Sequence, residues 1–182
     1  MVPFDRFGVR RWRKWAVSAA HGRVLELGVG TGLNLSHYRA VDALMAIDPD
    51  FDSLQRALSK KDGKTRTILN QARAEQLPFA DETFDVVIGT LVFCSVDDPM
   101  RGLSEARRVL KSNGTFRLVE HVRVDNRLIA GMQDAATPLW KQVAGNCHLN
   151  RDTLSAVKQA GFHVRDVSRH IAGWVVAIDA SK

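Results

Sequence analysis

The run Val24-Leu25-Glu26-Leu27-Gly28-Val29-Gly30-Thr31-Gly32, with Asp48 sixteen residues beyond its last glycine, has the residue types and spacing to hold a nucleoside. Glycine lacks a Cβ, so the backbone can turn tightly and approach a ligand. A carboxylate at the tip of a neighbouring strand, here in Ala46-Ile47-Asp48-Pro49, can accept both hydroxyls of a ribose. The spacing of the glycines then separates ligands. A dinucleotide fingerprint, G-x-G-x-x-G, requires glycine where this chain has Leu33. The run instead reads E-x-G-x-G-x-G, and nothing marks a pyrophosphate site. The expected ligand is therefore S-adenosylmethionine, whose amino acid end can lie against Gly28 and Gly30.

These residues need a scaffold, and the chain alternates apolar strand-like runs with helix-like runs, the pattern of a parallel sheet covered by helices on both faces. Strands are expected at 23–28, 43–48, 66–70, 84–90 and 114–122. Thr31 to Tyr38, Phe51 to Lys60 and Asp98 to Leu110 are expected as helices, the third opened by the Asp97-Asp98-Pro99 cap and first-turn signals. Lys111-Ser112-Asn113-Gly114 is expected to end that helix with a cation in the last turn and a left-handed residue. Residues 126–144 read as an inserted helical segment, and 152–160 as a final helix with Asn150 as its N-cap. Strands at 163–169 and 171–179, the second begun by His170, should pair as an antiparallel hairpin.

The 182 residues suit one domain spanning 1–182, with a basic amphipathic helix over 1–22 and an insertion over 123–150. A composition of 45% hydrophobic and 25% charged residues belongs to an ordinary globular chain. No apolar run reaches the roughly 18 residues of a spanning helix, and no signal-peptide core follows the N-terminus, so a cytoplasmic location is expected. Cys94 and Cys147 offer neither a disulfide framework nor paired metal-ligand spacing, so no metal is expected. Five of the six net positive charges fall in residues 1–23, where Arg6, Arg10, Arg11, Arg13, Lys14 and Arg23 oppose Asp5 alone. Phe4, Gly8, Arg11, Trp12, Trp15 and Ala19 follow helical spacing there. Such a helix can contact an anionic membrane peripherally through residues 1–20, or pack its aromatics over the crevice. Nucleic acid is not expected as a partner, because no aromatic-basic pattern recurs along the rest of the chain.

Leu25 to Gly32, Ala46 to Pro49, Ala74-Glu75-Gln76-Leu77-Pro78-Phe79, Phe84-Asp85-Val86-Val87 and Arg107-Arg108-Val109-Leu110-Lys111 through Gly114 stand in an order that resembles the class I S-adenosylmethionine-dependent methyltransferases. The resemblance is strongest to those like the ubiquinone and menaquinone biosynthesis enzymes. It implies a Rossmann-like, seven-stranded, mostly parallel sheet with an antiparallel final strand. A finer resemblance, to the methyltransferase-like proteins of animals that methylate alkyl thiols and to their bacterial relatives, rests on five stretches. They are Gly89 to Val96, Glu120-His121-Val122, Pro138-Leu139-Trp140-Lys141, Cys147 with Leu149 and Arg151, and His170 to Gly173. Those animal proteins carry a hydrophobic anchoring N-terminus, whereas residues 1–23 here are basic.

By this resemblance Glu26, Gly28, Gly30, Thr31 and Gly32 line the methionine side of the cofactor, and Asp48 with Pro49 holds the ribose. Ala74 and Glu75 sit at the adenine, and Leu91 closes over the cofactor. Many relatives place an aspartate or serine just before that alanine. This chain has Arg73, so the adenine amine must be met differently.

The expected acceptor is a small molecule, a thiol first of all. A free thiol with pKa about 8.5 is a few per cent thiolate at neutral pH, so a strong general base is not required. His121, at the carboxyl end of the fifth strand, is the first choice to contact the acceptor, with Trp140, Cys147, His148 and Arg151 as pocket residues. A packing role beside the inserted segment is assigned to His170. Three alternatives stay open: a phospholipid N-methyltransferase, a quinone-precursor C- or O-methyltransferase, and a cofactor-binding interaction module without catalysis. The end of the fourth strand reads Gly89-Thr90-Leu91-Val92, not an N-P-P-Y type motif, which disfavours an amine methyltransferase acting on protein or nucleic acid.

Overall fold

A computed structural model describes residues 9–39, 41–61, 63 and 65–182. Its strands are β1 (Arg23–Leu27), β2 (Ala43–Asp48), β3 (Thr67–Gln71), β4 (Phe84–Thr90), β5 (Leu110–His121), β6 (His163–His170) and β7 (Val175–Ser181). The described helices are α1 (Val9–Val17), α2 (Phe51–Leu58), α3 (Pro99–Val109), α4 (Arg127–Val143) and α5 (Thr153–Gln159). All seven strands form one sheet in the order β3-β2-β1-β4-β5-β7-β6. The first five pair in parallel, and β7 runs antiparallel to both β5 and β6.

The central strands are apolar at nearly every position because both faces are covered. Leu25, Leu27 and Val87 enter one core with Phe93, Leu103 and Phe116. Their neighbours Val24, Val86 and Ile88 enter a second with Ala46, Leu54 and Tyr38. The period of two sends adjacent residues to opposite faces, so one sheet separates two cores.

Several expectations need correction. Thr31 to Tyr38 holds only a 3-10 turn at Leu35–His37. Gly30 and Gly32 carry φ of 51° and 77°, which no helix contains, and the Asn34 side chain turns inward. Lys111 to Gly114 does not cap α3: the helix ends at Val109 with Leu110 already extended. Those four residues form an irregularity inside β5, where pairing with β4 steps from Phe84↔Leu110 to Val86↔Thr115. Asp152, not Asn150, caps α5, accepting from the Ser155 amide, while Asn150 donates to Asp134. His170 closes β6 and does not open β7; residues 171–174 are the turn between them. It packs on α1, its ring stacked on Trp12 at 4.8 Å between centroids.

The described part of the N-terminal segment lies on the protein. Val9, Ala16 and Val17 are buried, the Arg117 guanidinium sits 4.6 Å over Trp15, and Arg10, Arg11 and Lys14 are exposed. Phe4 and Gly8 of the expected stripe lie outside the described residues. Among the described residues no helix is long and apolar enough to cross a membrane.

Candidate functional site

Strand order reverses between β1 and β4, and ligands of open α/β sheets bind beyond the carboxyl ends of the strands at such a point. A cleft of about 570 Å³ opens there, within the range of small-ligand sites. Gly28, Gly30, Thr31, Asp48, Pro49, Ala74, Glu75 and Leu91 line it, so eight of the ten expected cofactor residues meet at one surface. Glu26 and Gly32 do not. Glu26 lies beneath the glycine turn, 1% exposed, and Gly32 packs where a Cβ would come within 2.9 Å of Leu35.

The glycine turn is held by the acid expected at the ribose. Asp48 Oδ2 accepts the Gly30 amide at 2.8 Å, and Oδ1 accepts the Asp50 amide at 2.9 Å. The α2 cap is Asp50, and Asp48 itself lines the cleft. Burial raises the Asp48 carboxyl above its ordinary value, against the pull of both amides. At Gly30, with φ 51°, a Cβ would meet nothing within 4 Å, so the cradle is open. At Gly28 a Cβ would come within 2.6 Å of Val92 Cγ2, so that glycine is required by the fold itself.

Beneath the turn, Asn34 Nδ2 donates to Glu26 Oε1 at 2.9 Å and to Thr90 Oγ1 at 2.8 Å. Arg13 reaches in from α1, its Nη1 donating to Asn34 Oδ1 and Thr90 Oγ1, both at 3.2 Å. Loss of solvent pushes Glu26 up to about 7, although Tyr38, Asn34 and Arg13 favour its charged form. Glu26 Oε2 and the Tyr38 hydroxyl are both buried, and Tyr38 is the hydroxyl that acts on this carboxyl. The acid therefore sits in a polar cluster with Tyr38, Asn34 and Arg13 beneath the glycine cradle.

At the opposite end, Glu75 lines the cleft, but its Oε1 accepts the Asp97 amide at 3.0 Å. Arg73 pairs with Asp97 at 3.0 Å, so the residue that departs from the family pattern braces this wall. Asn146 closes the same side, donating from Nδ2 to Ser95 O at 2.9 Å. Gly145 and Asn146 line the cleft at φ 60° and 65°. Sequence reasoning passed over them, although adjacent glycine and asparagine are a turn signal.

The five residues expected at the acceptor do not line the cleft. Two of them, Cys147 and Trp140, share an apolar cluster with Leu91, which stands at φ 59° and also lines the cleft. Cys147 Sγ lies 3.7 Å from His121 Nδ1, and Trp140 packs against Cys147 and Cys94. His148 donates its backbone N–H to Cys94 O at 2.7 Å. Arg151 Nη1 donates to Phe93 O and to Val96 O, so it ties down the segment after β4. The Cys147 thiol is held below its ordinary value, first by the hydrogen bond from the Cys94 thiol and then by His121. Cys94, fully buried and giving that hydrogen bond, is pushed up.

Two further residues build this region without having been singled out. Glu120 accepts the Val92, Phe93 and Cys94 amides at 2.8, 3.0 and 3.1 Å, which fixes the segment carrying Leu91 and Cys94. Gln133 on α4 accepts from Val124 N and donates to Val122 O and Leu149 O, which binds the inserted helix to β5 and to the strip before α5. Neither has a periodic signature, because an isolated polar residue in an apolar run reads as a pattern error until its partners are known.

The family described as a methyltransferase domain matches residues 25–118. A thiol S-methyltransferase of Homo sapiens is 34% identical over 154 residues, covering 80% of this chain and 63% of that protein. A phosphatidylethanolamine N-methyltransferase of Cereibacter sphaeroides is 38% identical over 122 residues, covering 65% of this chain and 60% of that one. The chain thus spans about three fifths of the length of the curated relatives it matches. Among solved structures, the YcgJ protein of Bacillus subtilis superposes with a TM-score of 0.76 at 17% identity, over 94% of this chain and 98% of that chain.

Proposed function

The chain belongs to the S-adenosylmethionine-dependent methyltransferases of the methyltransferase domain family, and from that premise we propose that it methylates a small thiol. The observation that carries the reading is the open cradle at Gly30, held by Asp48 at the rim of the cleft. These residues fit the cofactor. Asp48 suits its ribose hydroxyls, Glu26 its ammonium, and the wall of Ala74, Glu75 and Asn146 its adenine.

When bound, the cofactor supplies a methyl group on a sulfonium, open to in-line displacement. The chain's own residues then align and enclose. Leu91 separates the cleft from the group formed by Cys94, His121, Cys147 and Trp140, and its rigid turn positions the acceptor's path. Alignment of this kind is worth about 7–11 kcal/mol in favourable cases. His121 is assigned to position the acceptor, and a thiol needs no strong general base, whereas an alcohol or a ring carbon would demand one. The thiol S-methyltransferase relatives favour sulfur as acceptor. The phosphatidylethanolamine relative supports a second reading, a lipid amine, with the basic α1 toward the membrane.

The test is S-adenosylhomocysteine formation by purified protein given S-adenosylmethionine and a small alkyl thiol, against a no-acceptor control and Asp48→Asn. Thiol-dependent product is expected. The variant should bind cofactor about 10- to 100-fold more weakly, the effect of losing a charged hydrogen bond worth roughly 1.5–3 kcal/mol. Product only with phosphatidylethanolamine vesicles would replace the thiol reading with the lipid one.

A further inference from the structure

The cysteines look unrelated in sequence, at positions 94 and 147, yet the fold brings both to the end of β5. Cys94 Sγ, Cys147 Sγ and a ring nitrogen of His121 lie within 4.8 Å of one another. One edge of this triangle, Cys147 Sγ to His121 Nδ1, is 3.7 Å. Zinc with sulfur at about 2.3 Å and nitrogen at about 2.0–2.1 Å in a tetrahedron sets neighbouring ligand atoms about 3.5–3.8 Å apart. The other two edges, each no longer than 4.8 Å, must close by at most about 1 Å to reach that spacing.

We propose that Cys94, His121 and Cys147 form a three-ligand site for a thiophilic divalent cation, zinc by its ligand set, with one coordination position left open. Two sulfurs and one imidazole are the donors of a catalytic zinc site, which keeps a fourth position for water or substrate, whereas a structural site fills it with protein. Two thiolates balance the charge of the dication, and the two thiol protons leave to solvent as the metal-sulfur bonds form.

The surroundings hold the ligands in place. Glu120 Oε2 accepts the Cys94 amide at 3.1 Å, and the next residue along the strand is the ligand His121. Cys94 O in turn accepts the His148 amide at 2.7 Å, which pins the strip carrying Cys147. Cys94 and Cys147 are 1% and 6% exposed, within an apolar shell of Leu91, Leu149, Trp140 and Trp174. Of these Leu91 also lines the cofactor cleft, so the site lies one side chain away from it. Resting on the thiol reading above, the open position would take the acceptor sulfur, a metal–sulfur bond forming as the S–H bond breaks and its proton leaves to solvent, as for the two cysteines.

Cobalt(II) titrated into reduced, metal-free protein tests the site without any turnover, through sulfur-to-cobalt charge transfer and the visible bands of tetrahedral cobalt. Saturation at one cobalt per chain, reversed by zinc, is expected. Cys94→Ser and Cys147→Ser should each lose part of the charge transfer, and His121→Ala should keep it while weakening binding at least about tenfold. Unchanged cofactor affinity in each variant shows that the fold is retained. Absence of charge transfer at saturating cobalt, or a spectrum unaltered in the double serine variant, overturns the site. Addition of an alkyl thiol should shift the cobalt bands, and bands that ignore it overturn the open position. Thiol methylation that proceeds equally in metal-free and zinc-loaded protein removes the metal from catalysis while leaving the thiol reading intact.

Discussion

Glu26 is the residue whose chemistry can be read most directly as a pH dependence. Its carboxyl stands at about 7 in the fold against an ordinary 4.5. Between these values the native state keeps a proton that the unfolded state releases, so this group lowers stability as pH rises through that window. If the cofactor's ammonium meets Glu26 as proposed, its binding expels that proton. Cofactor affinity is therefore expected to tighten by up to about tenfold per pH unit below 7 and to level off above it. Calorimetric titration across that range should show the slope, with proton release detected by changing buffer, and Glu26→Gln should flatten it. The glycines give a paired test. Gly30→Ala places a methyl in the open cradle, so it should weaken cofactor binding strongly for about 1 kcal/mol of stability lost at its positive φ. Gly28→Ala drives a Cβ into Val92 and should reduce the melting temperature whether or not cofactor is present.

At the scale of elements, the inserted helix α4 owes its place to one side chain. Gln133 is buried and makes three hydrogen bonds to backbone groups at Val122, Val124 and Leu149. Gln133→Leu fills similar volume but orphans those groups, each at roughly 1–3 kcal/mol. Stability should drop by about 3 kcal/mol or more, or about 6–12 °C in a chain of this size. Cofactor affinity should stay within about twofold, since Gln133 does not reach the cleft, and thermal melts with cofactor titration read both quantities. The segment after β4 is built by the same logic. Its amides are taken by Glu120 and its carbonyls by Arg151, so a stretch with no regular structure is still rigid. This is how Leu91 can persist at a φ that disfavours leucine.

For the whole molecule, the cleft lies at the carboxyl ends of β1, β2 and β4, which are mostly buried, as β7 is. Ligand binding there couples to the central parallel strands. Cofactor at about 100 times its dissociation constant should add about 2.7 kcal/mol, a rise of about 5–11 °C in melting temperature. Hydrogen exchange should slow at residues 28–31, 48–50 and 90–97 and stay unchanged at β6 and β7. Protection spread evenly over the sheet would place the cofactor elsewhere. The N-terminal helix takes part in this unit, because Arg13 bridges Asn34 and Thr90 beneath the cleft while Trp12 and Trp15 rest on His170 and Arg117. Its aromatics are committed to the protein surface, and its exposed charges are what an anionic surface would meet.

The sequence by itself determined the parallel sheet and the cofactor crevice. Continuous apolar strands report burial on both faces, and a glycine turn with Asp48 at the next strand's tip is local chemistry that spacing alone expresses. Thr31 to Tyr38 failed as a helix prediction because two glycines and an inward Asn34 overrode a weak periodicity. Lys111 to Gly114 failed as a cap because turn residues serve a strand irregularity equally well. Only the tertiary structure decided what lies behind Leu91. Cys94, His121 and Cys147 come from three elements separated by more than twenty residues each, so no spacing rule joins them. Glu120 and Gln133 likewise acquire their meaning from backbone groups that the chain brings to them only when folded.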